Sequence, residues 1–202
     1  MDELATVPAL ADYGQGFTRC AVHQQTQRTY ALAQADNGNQ ALVLLDANLQ
    51  VVATVEAVEA NDGDHRCICD VAVHGDQVVV LTTNDHAKGS GLRLLDLDGR
   101  FLRTIAAGRF QNPYAVAASH GRAFVVDDDD DDDKDDGDDD DDDDDESGKV
   151  LHVIDIQSGD ILQAVRLDLQ GQVSAIRVDG DEIYIASFDA SKVVLRYAGS
   201  EA

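Results

Sequence analysis

DVAVHGDQVVVLTTNDHAKGSGLRLLDLDGRFLRTIA, residues 70–106, holds four apolar stretches separated by turn chemistry. Asp70–Val73 and Val78–Leu81 flank His74-Gly75-Asp76-Gln77, where a glycine among polar residues supplies the positive φ of a hairpin turn. Asn84–Gly91 is a polar loop. Leu92–Leu97 then runs into Asp98-Gly99, a strong hairpin signal, and Phe101–Ala106 returns. The apolar stretches are strand length and rich in Val, Leu and Ile, which suit a pleated surface. The reading is one sheet of four antiparallel strands joined in chain order.

The same grammar recurs on either side. CAVHQQTQRTYAL at 20–32, VAASHGRAFVV at 116–126 and IRVDGDEIYIA at 176–186 match VAVHGDQVVVL at 71–81. Each is followed by a third strand: ALVLLD at 41–46, VLHVIDIQSG at 150–159 and VVLRYAG at 193–199. Gly75 and Gly121 lie 46 residues apart; Gly121 and Gly180 lie 59 apart, with an acidic run between them. Without roughly a dozen surplus residues the spacing falls in the 40–50 of propeller blades. An isolated four-stranded unit cannot bury both faces, whereas units stacked around an axis can. The expected fold is therefore all-β, a β-propeller of four-stranded antiparallel blades over residues 1–202. About four blades are encoded, either as a small ring or as part of a six-bladed one. Residues 3–20 align with 53–67 and read as a fourth strand and its link, whereas the last unit stops after its third strand near Tyr197. Pairing those ends would leave no open edge.

Composition narrows the classes. Aromatics are 5% and Trp is absent, so the core is aliphatic. No stretch approaches the ~18 apolar residues of a membrane helix, and the acidic start, MDELATVPAL, lacks a secretory pattern. Three cysteines, Cys20, Cys67 and Cys69, suit a reducing compartment, so a cytoplasmic location is expected over secretion. The net charge is −25, of which residues 127–146 hold −17 (17 Asp, one Glu, one Lys), leaving −8 for the rest. No clustered Lys and Arg exist to grip a phosphate backbone, so neither nucleic acid nor membrane is an expected partner.

Residues 89–127, GSGLRLLDLDGRFLRTIAAGRFQNPYAVAASHGRAFVVD, resemble an NHL repeat. The matching parts are Leu94–Asp96, the Asp98-Gly99 turn, Phe101–Ile105, Gly108, Pro113, Ala115–Ala117 and Val125–Asp127. The likeness covers one unit well. In the others the Pro is replaced, by Cys67-Ile68-Cys69 and by Gln172-Val173-Ser174. The resemblance implies a six-bladed type of ring and a non-enzymatic protein-interaction scaffold that works through its loop face. It also offers an alternative, a metal-dependent propeller hydrolase or lyase, gluconolactonase-like or peptide-amidating-lyase-like. Those sites need His, Asp, Glu and Asn converging on the central channel, whereas the first strands here carry mostly Ala, Val, Cys, Tyr and Ser. No G-x-S-x-G, P-loop, G-x-G-x-x-G or H-E-x-x-H is present.

In propellers of this type the loops between second and third strands share a face with the links between blades. That face would carry Asp36, Asp85, Asp127 and Asp189 as weak metal candidates, with His65, Asn112 and Ser174 near the links as an interaction face. The plainer reading of such aspartates is that they bond nearby backbone N–H groups at strand ends. His65-Arg-Cys67-Ile-Cys69-Asp70 has the flavour of a metal site, but C-x-C has no second pair, and Cys is a common small core residue. His74 and His120 read as turn residues. No cofactor is expected.

The acidic run 127–146 interrupts the loop after the second strand of unit three. It cannot bury apolar surface and repels itself, so it reads as a disordered insertion. Lengthening a loop about fourfold costs only about 1.2 kcal/mol of closure entropy. A carboxylate brush of this kind could hold Ca²⁺ diffusely or steer a basic protein partner. Its bland counterpart is neutral expansion of a repetitive codon in an unselected loop.

Overall fold

The computed structural model describes residues 17–34, 40–56, 66–84, 90–129, 148–169, 171–188 and 192–196. They form four antiparallel sheets in strict chain order. Sheet one is β1 (Phe17–His23), β2 (Arg28–Gln34), β3 (Gln40–Leu45) and β4 (Val51–Glu56). Sheet two is β5 (Arg66–His74), β6 (Gln77–Asn84), β7 (Gly91–Asp96) and β8 (Phe101–Ile105). Sheet three is β9 (Asn112–Ser119), β10 (Arg122–Asp129), β11 (Gly148–Asp155) and β12 (Ile161–Leu167). Sheet four has three described strands, β13 (Val173–Asp179), β14 (Glu182–Ser187) and β15 (Lys192–Arg196). This is the expected all-β propeller of four repeating blades. Among the described residues no helix is long and apolar enough to cross a membrane.

Sheet two keeps the expected strand order, but two strands are longer than expected: β5 spans Arg66–His74 rather than 70–73, and β6 spans Gln77–Asn84 rather than 78–81. β5 starts at Arg66, so Cys67-Ile68-Cys69 belongs to the strand. Cys69 is a bulge residue between the Ile68–Thr82 and Asp70–Leu81 pairs. The bulge breaks the alternation of side chains, leaving Cys67 exposed and Cys69 half-buried. Bulges recur at the same place in the other inner strands, at Thr18, Tyr114 and Ser174.

The inner strands β1, β5, β9 and β13 touch in succession, and an aliphatic core fills each gap between sheets. Tyr30, Leu32, Leu42 and Leu44 of sheet one meet Ile68, Val71, Val78 and Val80 of sheet two. Val79, Leu81, Leu92 and Leu94 meet Phe110 of the link and Val116, Val125 and Ile154 of sheet three. Leu151 and Val153 meet Ile183 and Ile185 of sheet four. The middle strands of sheets one to three are therefore buried on both faces and read as continuous apolar runs. Sheet four departs from this: Ile183 and Ile185 are buried, but Ala175, Arg177, Tyr184 and Ala186 are exposed.

The outer hairpins share one device. Asp46, Asp96 and Asp155 close the third strands; Asp46 Oδ1 accepts from the N–H of Asn48 and Gln50, and Asp96 Oδ1 from Asp98 and Arg100. Asp155 Oδ1 accepts from Ser158 N–H. These bonds hold the Asp46 and Asp155 carboxyls below the usual carboxylate range. The second and third of these turns also press on the preceding sheet. A Cβ on Gly99, φ +82°, would lie 2.9 Å from Val55 Cγ2; one on Gly159, φ +84°, would lie 3.0 Å from Ile105 Cβ. Gly75, φ +54°, has open space around it. Gly99→Ala should therefore lose more stability than Gly75→Ala, about 1–3 kcal/mol more, since it adds a steric clash to the same left-handed strain. Urea unfolding of the two variants checks this, and equal losses would deny the contact with sheet one.

Candidate interaction face and the anchors beneath it

Antiparallel strands in chain order put unlike connections on opposite faces. On one face lie the tight first hairpins, with His74 at Nε2 accepting the Gly121 N–H at 2.9 Å across sheets two and three. On the other, the second strands end at Gln34, Asn84, Asp129 and Ser187, and the inner strands begin at Phe17, Arg66, Asn112 and Val173. Of the expected site residues, Asp36, His65, Asp85 and Asp189 lie outside the described residues. Asp127, Asn112 and Ser174 are described, and all three sit on this second face.

Asp127 is buried. Its Oδ1 accepts from Asn112 N–H at 2.8 Å and its Oδ2 from Gln111 N–H at 3.0 Å, so the carboxylate fixes the link into sheet three. His152 Nε2 lies 3.7 Å from Oδ2, beyond hydrogen-bond reach, with its ring tilted 54° against Phe110. Asn112 is exposed and donates from Nδ2 to Tyr114 Oη at 3.1 Å. Tyr114 Oη donates to Asp128 Oδ2 at 2.6 Å, and Lys149 Nζ donates to Asp128 Oδ1 at 2.5 Å. Lys149 also lies 5.2 Å from the centre of the Tyr114 ring. The Lys149 and Asp128 side chains are each 7% exposed, a fully desolvated pair whose loss of one partner would strand a buried charge.

This moves one boundary. The acidic insertion was expected to start at 127, yet β10 runs to Asp129, with Asp127, Asp128 and Asp129 opposite Val150, Lys149 and Gly148. The first two aspartates are part of the fold because link N–H groups, a lysine and a tyrosine satisfy them. Residues 130–147 lie outside the described residues. The only sequence signal was Lys149 itself, a cation at the first strand position after the run. Among the described residues no group of three His, Cys, Asp or Glu could hold a metal ion. Burial, with the nearby Cys67 and Asp70, pushes the Cys69 thiol up to about 12, leaving it protonated at neutral pH.

Beneath the face two side chains tie all four sheets. Asp70 Oδ2 accepts from Val116 N–H of sheet three at 2.9 Å, and its Oδ1 from its neighbour Val71 N–H at 2.8 Å. Arg19 Nε of sheet one lies 3.9 Å from Asp70 Oδ1. Arg19 Nη1 in turn donates to the Ser174 carbonyl of sheet four. Ser174 Oγ donates to Ala186 O at 3.1 Å, so its hydroxyl is engaged within its own sheet. Burial raises the Asp70 carboxyl above the usual range, against the pull of the two N–H groups and Arg19. Asp70→Ala strands the buried Val116 N–H and should cost about 1–3 kcal/mol. Asp70→Asn keeps an acceptor and sheds the desolvated charge, so it should cost well under half of that. Chemical denaturation of both variants tests the ordering; equal losses would make the charge, not the acceptor, the essential part.

His74 supplies a pH dependence of known sign. Burial lowers its imidazole, and nearby His120 lowers it further. The unfolded chain thus binds the proton more tightly. The stability this bond contributes is full above the ordinary imidazole value of about 6.5 and is lost as pH falls through it toward the lowered folded value. Thermal melts of wild type at pH 7.5 and 5.0 should differ more than those of His74→Gln, whose amide oxygen accepts without titrating. Parallel pH profiles would remove this role.

No family model matches the sequence, and no curated protein matches it significantly. Solved structures do match. The computationally designed Ika4 protein aligns over 98% of this chain and 99% of its own, with TM-score 0.57 and 16% identity. The Dos1 propeller aligns over 89% of this chain and 44% of its own, with TM-score 0.54 and 9% identity. The WD40 β-propeller domain of Doa1 aligns over 89% and 50%, with TM-score 0.53 and 15% identity. The chain thus spans about half the length of the Dos1 and Doa1 structures. At these identities the likeness is one of fold, and that fold is the β-propeller.

Proposed function

We propose that this chain is an NHL-like, non-enzymatic scaffold that docks a basic protein partner on the face where the second strands end. The observation that carries the reading is the anchoring of the acidic run. Its first aspartates are locked into β10 by Lys149, Tyr114 and the link amides. Residues 130–147, net −14, are thereby tethered at both ends to a rigid sheet on that face. Charge of one sign held at one place raises the encounter rate with a partner of opposite sign, and screening by salt weakens it. Gln111 and Asn112 are exposed beside the tether and offer the docking contacts.

The test uses a Lys/Arg-rich peptide as probe, titrated calorimetrically against the full chain. A second chain has residues 130–147 replaced by a short Gly-Ser turn, keeping Asp127–Asp129 and Gly148-Lys149. The deletion should leave the melting profile intact and weaken binding at least tenfold at low salt. Binding that survives the deletion overturns the steering, and binding indifferent to Gln111→Trp overturns docking on this face. Calcium titration of the same two chains reads out diffuse Ca²⁺ binding by the run.

A further inference from the structure

We infer that Cys67 and Cys69 form a two-thiolate site for one soft monovalent cation of the copper(I) type, on the side of β5 that faces sheet three. The strand puts both side chains there. Ile68 packs into the cluster shared with sheet one, so its two neighbours along the strand turn the other way. Cys69 packs against the cluster shared by sheets two and three. Cys67 pairs with Thr83 of β6, and the Thr83 N–H donates to the Cys69 thiol. One residue thus lies opposite the first cysteine and bonds the second, which brings the two thiols to the same place. They differ in access: Cys67 is exposed and Cys69 half-buried. An ion enters by the first and is held against the second.

Ligand type and number choose the ion. Among the described residues no group of three His, Cys, Asp or Glu could hold a metal ion. The adjoining carboxylate, Asp70, is committed to the Val71 and Val116 N–H groups. Zinc asks for three or four protein ligands, and calcium for six or more oxygens. Two thiolates alone suit a soft ion that accepts linear coordination, and thiolates select copper(I). Two metal–thiolate bonds of about 2.3 Å set end to end span about 4.6 Å. Alternate Cα atoms of a strand lie about 6.6 Å apart, and two cysteine side chains leaning together close that difference. Binding forms two sulfur–metal bonds, releases both thiol protons to solvent and changes no oxidation state.

The test titrates copper(I), supplied as its bicinchoninate complex without oxygen, into the reduced full chain. Bound metal is read by native mass and by loss of the chelate colour. Wild type should retain one copper per monomer and melt at a higher temperature with it. Cys67→Ser changes an exposed side chain and leaves the core intact; it should weaken retention at least tenfold. Cys69→Ala, with its fold checked by circular dichroism, should do the same. Cys20→Ser should bind as wild type does. Retention by Cys67→Ser, loss in Cys20→Ser, a copper-bridged dimer, or zinc(II) held as tightly as copper(I) would each overturn the inference.

Discussion

One buried carboxylate joins three of the four sheets, and one arginine brings in the last. Asp70 accepts the Val116 amide of sheet three and faces Arg19 of sheet one, which reaches the Ser174 carbonyl of sheet four. The three large aliphatic clusters are pairwise, each shared by two neighbouring sheets, and a small one of Ala33, Val43 and Leu45 lies within sheet one. Pairwise burial supplies most of the stabilising area, since it is proportional to apolar surface removed from water. It is also non-directional, and tolerates sliding of one sheet over the next. The polar centre is directional. It sets how the inner strands converge, at the cost of desolvating a charge, which the raised Asp70 carboxyl records.

The same trade appears at the rim of sheet three. Lys149 and Asp128 give up hydration for each other and for Tyr114. Such a pair adds little net stability compared with an apolar equivalent, but removing one partner strands the other charge. It places Asp128 opposite Lys149, while Asp127 takes the two link amides. These contacts fix where the acidic chain leaves the sheet.

Much of the architecture was legible before any coordinates. The strand–turn–strand grammar of residues 70–106 located β5 to β8 and their order, with β7 and β8 within a residue at each end and β5 and β6 about twice as long as expected, because hairpin turns write themselves in Gly, Asp and Asn and strands in Val, Leu and Ile. The backbone-bonding role of aspartate was legible in kind: Asp127 does accept from backbone N–H groups, although these are Gln111 and Asn112 of the link before β9 rather than a turn beside it. What escaped were long-range polar contacts. Nothing near Arg19 in the chain announces Asp70 or Ser174, and His74 looks like a turn residue until Gly121 of the next sheet is beside it. The bulge at Cys69 was equally silent, and it decides that two cysteines one residue apart do not share an environment.

The sequence by itself determined the fold class and the order of strands within each repeat. Those follow from local chemistry: apolar strand-length stretches and the turn residues between them. Only the tertiary structure decided which of the described aspartates are buried, which side chains tie the sheets together, and that Ala175, Arg177, Tyr184 and Ala186 of sheet four are exposed. Those depend on which neighbours the packing of sheets brings within hydrogen-bond distance, and residues more than a hundred positions apart carry no local mark of meeting.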